Sequence, residues 1–282
     1  MVQALKLKIK TLDPIRLEKP VELSIGKTIL YGPNGSGKSA IIRALAYLLT
    51  EDAKLLYESD YMNSLAQLFG QADVQLCENS KCVSLRSDGT NFSLSGAKLG
   101  KSAARIVGDY MYTTDARYKY MNPVQNVDDL RNILSIPTVA EAVERFLHHY
   151  YTELNIERFY GSYFKEVVNG RHEWRDIVLL PYGIKKAIAI IYALEAYDAV
   201  FIEAFESALH LDLMRALLDF MNEEYSNKII VIETHSGLLL RWGIAKGWNV
   251  YYVKRDSITS LTRLEDLTNT ELFKKELEAL SL

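Results

Sequence analysis

Apolar and polar residues alternate along the first part of the chain and then change to a helical spacing. In residues 3–10 (QALKLKIK) apolar and charged residues alternate, which is typical of a β-strand with one buried face. Residues 21–31 (VELSIGKTILY) predict a second strand that runs into a glycine-rich segment. Residues 39–50 (SAIIRALAYLLT) have apolar positions at helical spacing and strong helix formers. The pattern therefore predicts strand, loop and helix in that order.

The middle of the chain predicts antiparallel hairpins and two helices. In residues 73–95, three short alternating stretches (DVQLCE, KCVSLRS and TNFSLS) are separated by Asn-Ser and Asp-Gly turns, as in a meander. The segment AARIVGDYMYTT is compatible with a central strand, and two helices follow it and meet near Pro137. The segments FKEVV and RHEWRDIVLL bracket Asn169-Gly170, a strong hairpin signal.

The last third alternates between helix and strand. Its segments are helix (IKKAIAIIYALEAY), strand (DAVFIEA), helix (LDLMRALLDFMNEEY), strand (KIIVIETHS) and helix, followed by a strand at 249–254 and a helix (LTNTELFKKELEAL). This alternation predicts a parallel sheet covered by helices. We expect a single α/β domain with a mixed or parallel central sheet, an antiparallel β lobe within 1–97, a helical sub-lobe within 98–176 and a C-terminal part at 177–282.

Composition narrows the class of protein. The chain has 282 residues, of which 49% are hydrophobic and 24% charged, enough for one large domain with a well-formed core. The net charge of -3 excludes a molecule that is basic throughout, although a local basic groove stays compatible with it. No apolar run approaches the roughly 18 to 20 residues that span a bilayer, and the N-terminus lacks the features of a signal peptide. We expect a cytoplasmic protein without membrane contact.

Two cysteines flank a short polar turn. Cys77 and Cys82 lie on either side of ENSK, so they can face each other across a hairpin, but two thiols cannot complete a structural zinc site. We favour free thiols.

Residues 32–39 (GPNGSGKS) match the P-loop pattern G-x-x-x-x-G-K-[ST] in full. Glycines allow backbone N–H groups to approach phosphates, and the following helix N-terminus favours negative charge. We expect Lys38 to reach the β- and γ-phosphates of ATP and the Ser39 hydroxyl to bind Mg²⁺. The predicted nucleotide contacts are Asn34, Gly35, Ser36, Gly37, Lys38, Ser39 and Ala40. A glycine-rich turn without a ligand is disfavoured by the strand before it and the helix after it.

Three residues further along the chain are candidates for the same site. Glu203 ends an apolar strand and is expected near Mg²⁺, where it would hold a coordinated water, unless it is an exposed carboxylate at a strand end. His235 follows an apolar strand and is expected at the carboxyl edge of the sheet, close to the γ-phosphate or the attacking water, unless it is structural. Gly183 opens a helix whose first N–H groups can face a phosphate, although an ordinary helix start explains it nearly as well.

These motifs together resemble the ABC-type ATPases of the soluble SMC, RecF and OLD-like group. GPNGSGKS is similar to their P-loop, AVFIEAFESALH to their Walker B and D-loop segment, IIVIETHS to their switch-histidine strand, and LLPYGIKKAIAIIYAL to their signature segment. The resemblance implies an ABC-type ATPase head that uses ATP and Mg²⁺ and dimerises head to tail. In such a dimer each P-loop faces the partner's residues 180–183. It also implies a role in DNA repair, chromosome maintenance or defence, with DNA and a nuclease or other protein as partners.

The chain departs from this pattern at two positions. The family's Asp-Glu pair is Glu203-Ala204 here, and Pro181 stands in place of the signature serine. Loss of the carboxylate that orients water predicts slow hydrolysis with binding retained. Glu206 and Glu233 are possible substitutes. Strand alternation puts Glu233 and His235 on one face, so we favour Glu233 as the compensating base.

Two further features are less specific. Gln125 is a candidate Q-loop residue that contacts Mg²⁺. Residues 98–120 carry basic residues interleaved with tyrosines, which suits a nucleic-acid backbone and its bases but equally suits a solvated face with half-buried tyrosines. The basic residues are Lys98, Lys101, Arg105, Arg117 and Lys119.

Other functional classes remain open. Ala204 and Pro181 favour an ATP-bound regulatory switch with negligible hydrolysis, whereas Glu233 with His235 keeps the slow ATPase open. A transporter-type nucleotide-binding subunit is weakened by the ESALH ending and the missing Ser-Gly-Gly signature. A small-molecule kinase would not need the segment that resembles the signature helix.

Overall fold

The computed structural model describes residues 5–53, 65–99, 103–108 and 127–280. The strands of this part are β1 (Leu5–Leu12), β2 (Ile15–Ile25), β3 (Lys27–Tyr31), β4 (Gln71–Glu78), β5 (Lys81–Asp88), β6 (Phe92–Gly96), β7 (Ala104–Val107), β8 (Ile156–Tyr160), β9 (Tyr163–Val168), β10 (Arg171–Asp176), β11 (Ala199–Ile202), β12 (Ile229–Thr234), β13 (Asn249–Val253) and β14 (Ile258–Ser260). The helices are α1 (Lys38–Thr50), α2 (Leu65–Phe69), α3 (Val127–Leu134), α4 (Pro137–His149), α5 (Tyr182–Ala196), α6 (Leu211–Glu224), α7 (Gly237–Ala245), α8 (Leu264–Thr268) and α9 (Glu271–Leu280).

A six-stranded sheet in the order β14-β13-β3-β12-β11-β7 forms the centre of the fold. The pairs from β13 to β7 are parallel, and β14 joins the edge antiparallel to β13. Its strands are nearly continuous apolar runs such as IIVIET, which is expected when both faces of a sheet are covered. The predicted parallel sheet is thereby confirmed, with the segment at 104–107 forming its last described strand.

The two faces of this sheet are buried in separate apolar cores. Alternate residues of β3 face opposite sides, with Leu30 in one core and Ile29 and Tyr31 in the other. Helix α1 and the antiparallel β-sheet cover the first face. Helices α3 to α7 contribute to the core on the second face.

The antiparallel lobe is a five-stranded sheet in the order β2-β1-β4-β5-β6. It contains the predicted meander β4 to β6. The prediction of one strand over 21–31 is wrong, since β2 ends at Ile25 in this sheet while β3 begins at Lys27 in the central sheet. The chain passes between the two sheets at Gly26, where the alternation of residues 21–25 is replaced by the consecutive apolar residues 29–31.

A disulfide links Cys77 and Cys82 across the β4–β5 hairpin. The strand register places the two residues directly opposite each other, with their Cα atoms 4.1 Å apart. The tight turn that sets this register has Asn79 at φ 54°, a left-handed conformation that asparagine tolerates. The expectation of free thiols is therefore wrong.

The middle and C-terminal helices and strands agree with those predicted from the sequence, with small differences. Pro137 begins α4 directly after α3, and Asn169 and Gly170 turn the β9–β10 hairpin at φ 50° and 76°. Strand β8 adds a third member to that sheet. The predicted last helix is divided at Asn269, which caps α8 before α9 begins. None of the helices in the described part of the chain is long and apolar enough to cross a membrane.

Candidate nucleotide-binding site

The P-loop joins the end of β3 to the start of α1 and is held closely by its neighbours. Gly37 has φ 106°, and a Cβ atom there would lie 2.5 Å from Ile15 Cγ1. A Cβ atom at Gly32 would lie 2.2 Å from the carbonyl oxygen of Val253. Both distances are shorter than any tolerable contact, so β2 and β13 leave room for glycine alone at these two positions.

Lys38 lies inside the loop with its side chain only 2% exposed. Its Nζ donates hydrogen bonds to the carbonyl oxygens of Gly32 at 2.9 Å and Pro33 at 3.1 Å, and lies 3.8 Å from Glu233 Oε1. Burial lowers the pKa of the Lys38 ammonium, while the carboxylates of Glu233 and Glu206 act in the opposite direction. The loop therefore holds a positioned cation at the N-terminus of α1, where anions bind favourably.

Glu233 contacts the residue that follows Lys38. The Ser39 hydroxyl donates a hydrogen bond to Glu233 Oε2 at 2.8 Å. Glu233 is the second-last residue of β12, next to β3 in the sheet, and its side chain is 9% exposed. The structure thus brings together the predicted magnesium ligand, the predicted phosphate-binding lysine and the favoured substitute base.

His235 directly follows β12 and contacts the first residue of the P-loop. Its Nδ1 lies 2.8 Å from the Gly32 carbonyl oxygen, which can only accept a hydrogen bond, so Nδ1 carries the proton. In the neutral ring Nε2 is then the hydrogen-bond acceptor. This tautomer suits contact with a water molecule, and the protonated ring suits contact with a phosphate oxygen.

Glu206 holds the turn that carries His235. Its Oε1 accepts a hydrogen bond from the His235 backbone N–H at 2.7 Å, and its Oε2 accepts one from the Thr234 hydroxyl at 2.8 Å. Of the two candidate acids, Glu206 is therefore engaged with the backbone of the turn, whereas Glu233 contacts Lys38 and Ser39.

Glu203 and Ala204 follow β11 in the place of the Asp-Glu pair. The Glu203 backbone N–H donates to the Val107 carbonyl oxygen at 2.9 Å, and its side chain is partly buried. Ala204 and Ala208 have φ values of 44° and 60°, a left-handed conformation that is unfavourable for residues with a Cβ atom. The loop after β11 therefore stores backbone strain beside the candidate site.

Lys186 stabilises this strained loop, and the sequence analysis did not identify it. Its buried Nζ donates to the carbonyl oxygens of Ala204 at 2.8 Å, Phe205 at 3.2 Å and Ser207 at 2.9 Å, and to the Ser207 hydroxyl at 2.7 Å. The sequence does indicate that Lys186 is buried, because it lies four positions before the buried Ile190 and so on the same apolar face of α5.

Gly183 is the second residue of α5 and packs against the same loop. A Cβ atom there would lie 2.9 Å from both the Ala208 carbonyl oxygen and Leu213 Cδ2. Close packing is therefore sufficient reason for glycine at this position. Its expected contact with a partner's phosphate remains a prediction.

Two predicted features lie wholly or largely outside the described residues. Gln125 is outside them, as are most of residues 98–120. Of the described basic residues in that stretch, Lys98 donates to Glu51 at 3.1 Å, and the Arg105 guanidinium lies 5.8 Å from the centre of the Tyr197 ring. These two cations already have partners within the protein.

The residues around the P-loop fit a magnesium ion that arrives with a nucleotide. Mg²⁺ prefers oxygen ligands and is commonly bound by one or two carboxylates together with substrate phosphates. Ser39 and Glu233, which are in contact, offer such oxygens at the P-loop, and Glu203 follows β11, the strand next to β12. In the described ranges there is no group of three or more His, Cys, Asp or Glu residues that could hold a metal without help.

Several solved structures share this fold. The SMC head domain from Thermotoga maritima has 19% sequence identity and a TM-score of 0.57, covering 92% of this chain and 99% of its own. An Smc head domain bound to the C-terminal domain of ScpA, from Pyrococcus furiosus, has 14% identity and a TM-score of 0.56, covering 100% of both chains. An ATP-binding cassette of an ABC transporter in its ADP conformation has 14% identity and a TM-score of 0.53, covering 99% and 98%.

These identities are low, so the structures show the shared ABC-type ATPase fold and nothing further about activity. No curated protein sequence matches the chain. One family model, AAA_21, described as "AAA domain, putative AbiEii toxin, Type IV TA system", matches residues 27–75 and 83–241, well over half of the chain. The protein therefore belongs to this family, and its P-loop domain has the fold shared by ABC cassettes and SMC heads.

Proposed function

We propose that the protein binds ATP with Mg²⁺ in its P-loop, hydrolyses it slowly and uses bound ATP to join two copies head to tail. The contact of the Ser39 hydroxyl with Glu233, beside the Lys38 ammonium, carries this proposal. It joins a partly buried hydroxyl to a buried ammonium and a buried carboxylate, which supports magnesium binding by Ser39 and phosphate binding by Lys38. Each is a type of residue that phosphoryl transfer to water requires.

The chemistry assigned to these residues is mainly positioning. When bound, Mg²⁺ would neutralise charge on the phosphates, with Ser39 and the carboxylate of Glu203 as its protein ligands. Glu233 would accept the proton of the attacking water, and His235 Nε2 would orient that water or the γ-phosphate. Ala204 supplies no carboxylate at the usual place, so a slow rate is expected.

Exposed apolar residues support the dimer. Val178 and Leu179 precede Gly183 in the chain and are 46% and 63% exposed. Leu211, at the start of α6, and Leu238, three residues after His235, are also exposed. Exposed apolar side chains around a site are typical of surfaces that meet a partner. The proposed partner is a second copy, whose P-loop would face residues 180–183.

The biological role proposed is in defence, DNA repair or chromosome maintenance. The family description names a putative toxin of a type IV toxin–antitoxin system, and the fold is that of SMC heads, one of which is bound to ScpA. DNA and a nuclease or other protein are the partners we propose. A regulatory switch with negligible turnover is the second candidate, and the absence of a carboxylate at Ala204 together with Pro181 favours it.

Nucleotide titrations of the purified protein test the first step. We expect the wild-type protein to bind ATP in the presence of Mg²⁺ and Lys38→Ala to lose at least tenfold in affinity, because the buried ammonium contacts the phosphates. Ser39→Ala is a second variant in case Lys38→Ala does not fold, and Lys185→Ala on α5 is the control. Equal affinity of Lys38→Ala and wild type would overturn the proposal.

Light scattering and turnover measurements separate the two candidate roles. A slow ATPase should form dimers with a non-hydrolysable ATP analogue and not with ADP, and should release phosphate faster when DNA is added. A switch should form the same dimers with no detectable turnover. A monomer under all nucleotide conditions would contradict the head-to-tail arrangement.

A further inference from the structure

The C-terminal helix α9 contacts both ends of the candidate site through one carboxylate. Glu276 Oε1 accepts a hydrogen bond from the Tyr31 hydroxyl at 3.2 Å, and Glu276 Oε2 accepts one from the Gly237 backbone N–H at 2.9 Å. Tyr31 is the last residue of β3, directly before the P-loop. Gly237 is the first residue of α7, two positions after His235.

Together with the hydrogen bond between His235 and Gly32, these contacts form a closed ring of hydrogen bonds and covalent bonds. His235 Nδ1 contacts the Gly32 carbonyl oxygen at 2.8 Å, and Gly32 is bonded covalently to Tyr31. From Tyr31 a hydrogen bond leads to Glu276, a second one leads from Glu276 to Gly237, and the polypeptide chain leads from Gly237 back to His235. In addition to the pairing of Tyr31 with Thr234 in the sheet, the His235 ring and Glu276 therefore each connect the P-loop to the histidine turn.

The packing of α9 leaves little freedom in this arrangement. A Cβ atom at Gly237 would lie 2.3 Å from Phe273 Cδ2 and 2.5 Å from Glu276 Oε2, so helix α9 lies directly against the start of α7. The N-terminus of a helix stabilises a carboxylate beside it. Tyr31 is fully buried. Burial and the neighbouring Glu276 raise the pKa of the Tyr31 hydroxyl, which therefore stays protonated and donates to Glu276.

We infer that Glu276 is a positioning residue for His235, so that helix α9 forms part of the ATP site without touching the nucleotide. The inference rests on the proposed function in one respect, which is that His235 contacts the γ-phosphate or the attacking water. Without Glu276 the N-terminus of α7 loses a hydrogen-bond acceptor, and the turn at residues 235–237 is held only by Glu206, the pairing of Thr234 with Tyr31 and the hydrogen bond of the imidazole.

Variants of Glu276 test this by comparing ATP with ADP. Since ADP lacks the γ-phosphate, a misplaced His235 should weaken ATP binding or turnover and leave ADP binding unchanged. We expect Glu276→Ala to lower the preference for ATP over ADP, or kcat, by about tenfold, which is less than the roughly 10²-fold that a misplacement of about 1 Å can cost. Glu276→Gln should lie closer to wild type, because its amide oxygen can still accept from the Gly237 N–H.

Two further variants keep the test interpretable. Tyr31→Phe removes one of the two hydrogen bonds without changing the packed volume, and should give an intermediate loss even if Glu276→Ala does not fold. Glu271→Ala changes a carboxylate of the same helix that is 73% exposed, and should behave as wild type.

The outcomes distinguish this inference from the proposed function. Wild-type protein that binds no ATP would overturn both. Folded Glu276→Ala and Tyr31→Phe variants that bind and hydrolyse ATP as wild type does would overturn the inference alone. So would an equal loss of ATP and ADP affinity with a lowered melting temperature, because Glu276 would then act on the fold and not on His235.

Discussion

The Nδ1 atom of His235 lies 2.8 Å from the carbonyl oxygen of Gly32, so the end of β12 is bonded to the first residue of the P-loop. Strands β3 and β12 are adjacent and parallel, and their carboxyl ends therefore meet at one edge of the sheet. This relationship makes the loops after the two strands parts of a single candidate site. It also makes the site sensitive to substitutions that lie well apart in the chain.

Replacing Glu233 with glutamine should slow hydrolysis by about 10²-fold, the usual contribution of a general base. ATP affinity should stay within a few-fold of wild type, since Lys38 and the loop are unchanged. Single-turnover assays measure the chemical step directly. A wild-type rate for Glu233→Gln would rule out Glu233 as the base.

Replacing Ala204 with glutamate should raise the rate of hydrolysis by about tenfold or more, because it restores a carboxylate where related ATPases carry one. The left-handed backbone at φ 44° costs a glutamate no more than the alanine already there. The same single-turnover assay applies, with Ala208→Glu on the same loop as the control. An unchanged rate would mean that the step limiting turnover is not proton transfer from water.

Glu206→Ala should lower the free energy of unfolding by about 2 to 3 kcal/mol. It removes the acceptor of two hydrogen bonds and leaves the Thr234 hydroxyl and the His235 amide without their partner. Urea denaturation measures the change, and Glu18→Ala, on the exposed side of β2, is the control. If Glu206→Ala proves as stable as this control, the turn at His235 does not depend on Glu206.

Lys186→Met should be more destabilising than Lys185→Met, by about 2 to 4 kcal/mol. Lys186 is buried and donates hydrogen bonds to three carbonyl oxygens and a hydroxyl of the loop after β11. Lys185 is less buried and donates one hydrogen bond, to the Val178 carbonyl oxygen. Methionine keeps the apolar part of either side chain. Thermal unfolding of the two variants gives the comparison, and equal melting temperatures would contradict it.

Gly37→Ala should abolish tight ATP binding and destabilise the protein by more than Gly89→Ala. Both glycines have positive φ, 106° and 92°, so the backbone cost of alanine is similar and about 1 to 2 kcal/mol. The two positions differ in the room available to a Cβ atom, because one at Gly37 would contact Ile15 while one at Gly89 would have no atom within 4 Å. Calorimetric titration with ATP and urea unfolding measure the two effects.

Much of the fold followed from local patterns in the chain. The helix at α1 and the hairpins at β4–β6 and β9–β10 were predicted because their signals, periodicity and turn residues, lie within a few positions of each other. The P-loop was evident for the same reason, since its eight residues are contiguous and flanked by a strand and a helix. The family resemblance extended this to the order of the remaining motifs.

Predictions failed where the outcome depends on how strands are paired in the sheets. The segment 21–31 was predicted as one strand, yet the chain changes sheets at Gly26. Cys77 and Cys82 can face each other across the predicted hairpin, but only the register that pairs them directly decides for a disulfide over free thiols.

The sequence by itself determined that this chain carries a P-loop within an α/β fold and lacks the usual acid after Walker B. Only the tertiary structure decided which side chains contact that loop and the turn beside it. Strand alternation favoured Glu233 over Glu206, and the pairing of β12 with β3 directs Glu233 to Ser39 while Glu206 holds His235. Lys186 and Glu276 acquire their contacts from helices packed against distant loops. The physical reason is that a hydrogen bond requires two atoms within about 3 Å, and across these separations only the packing of sheets and helices brings them that close.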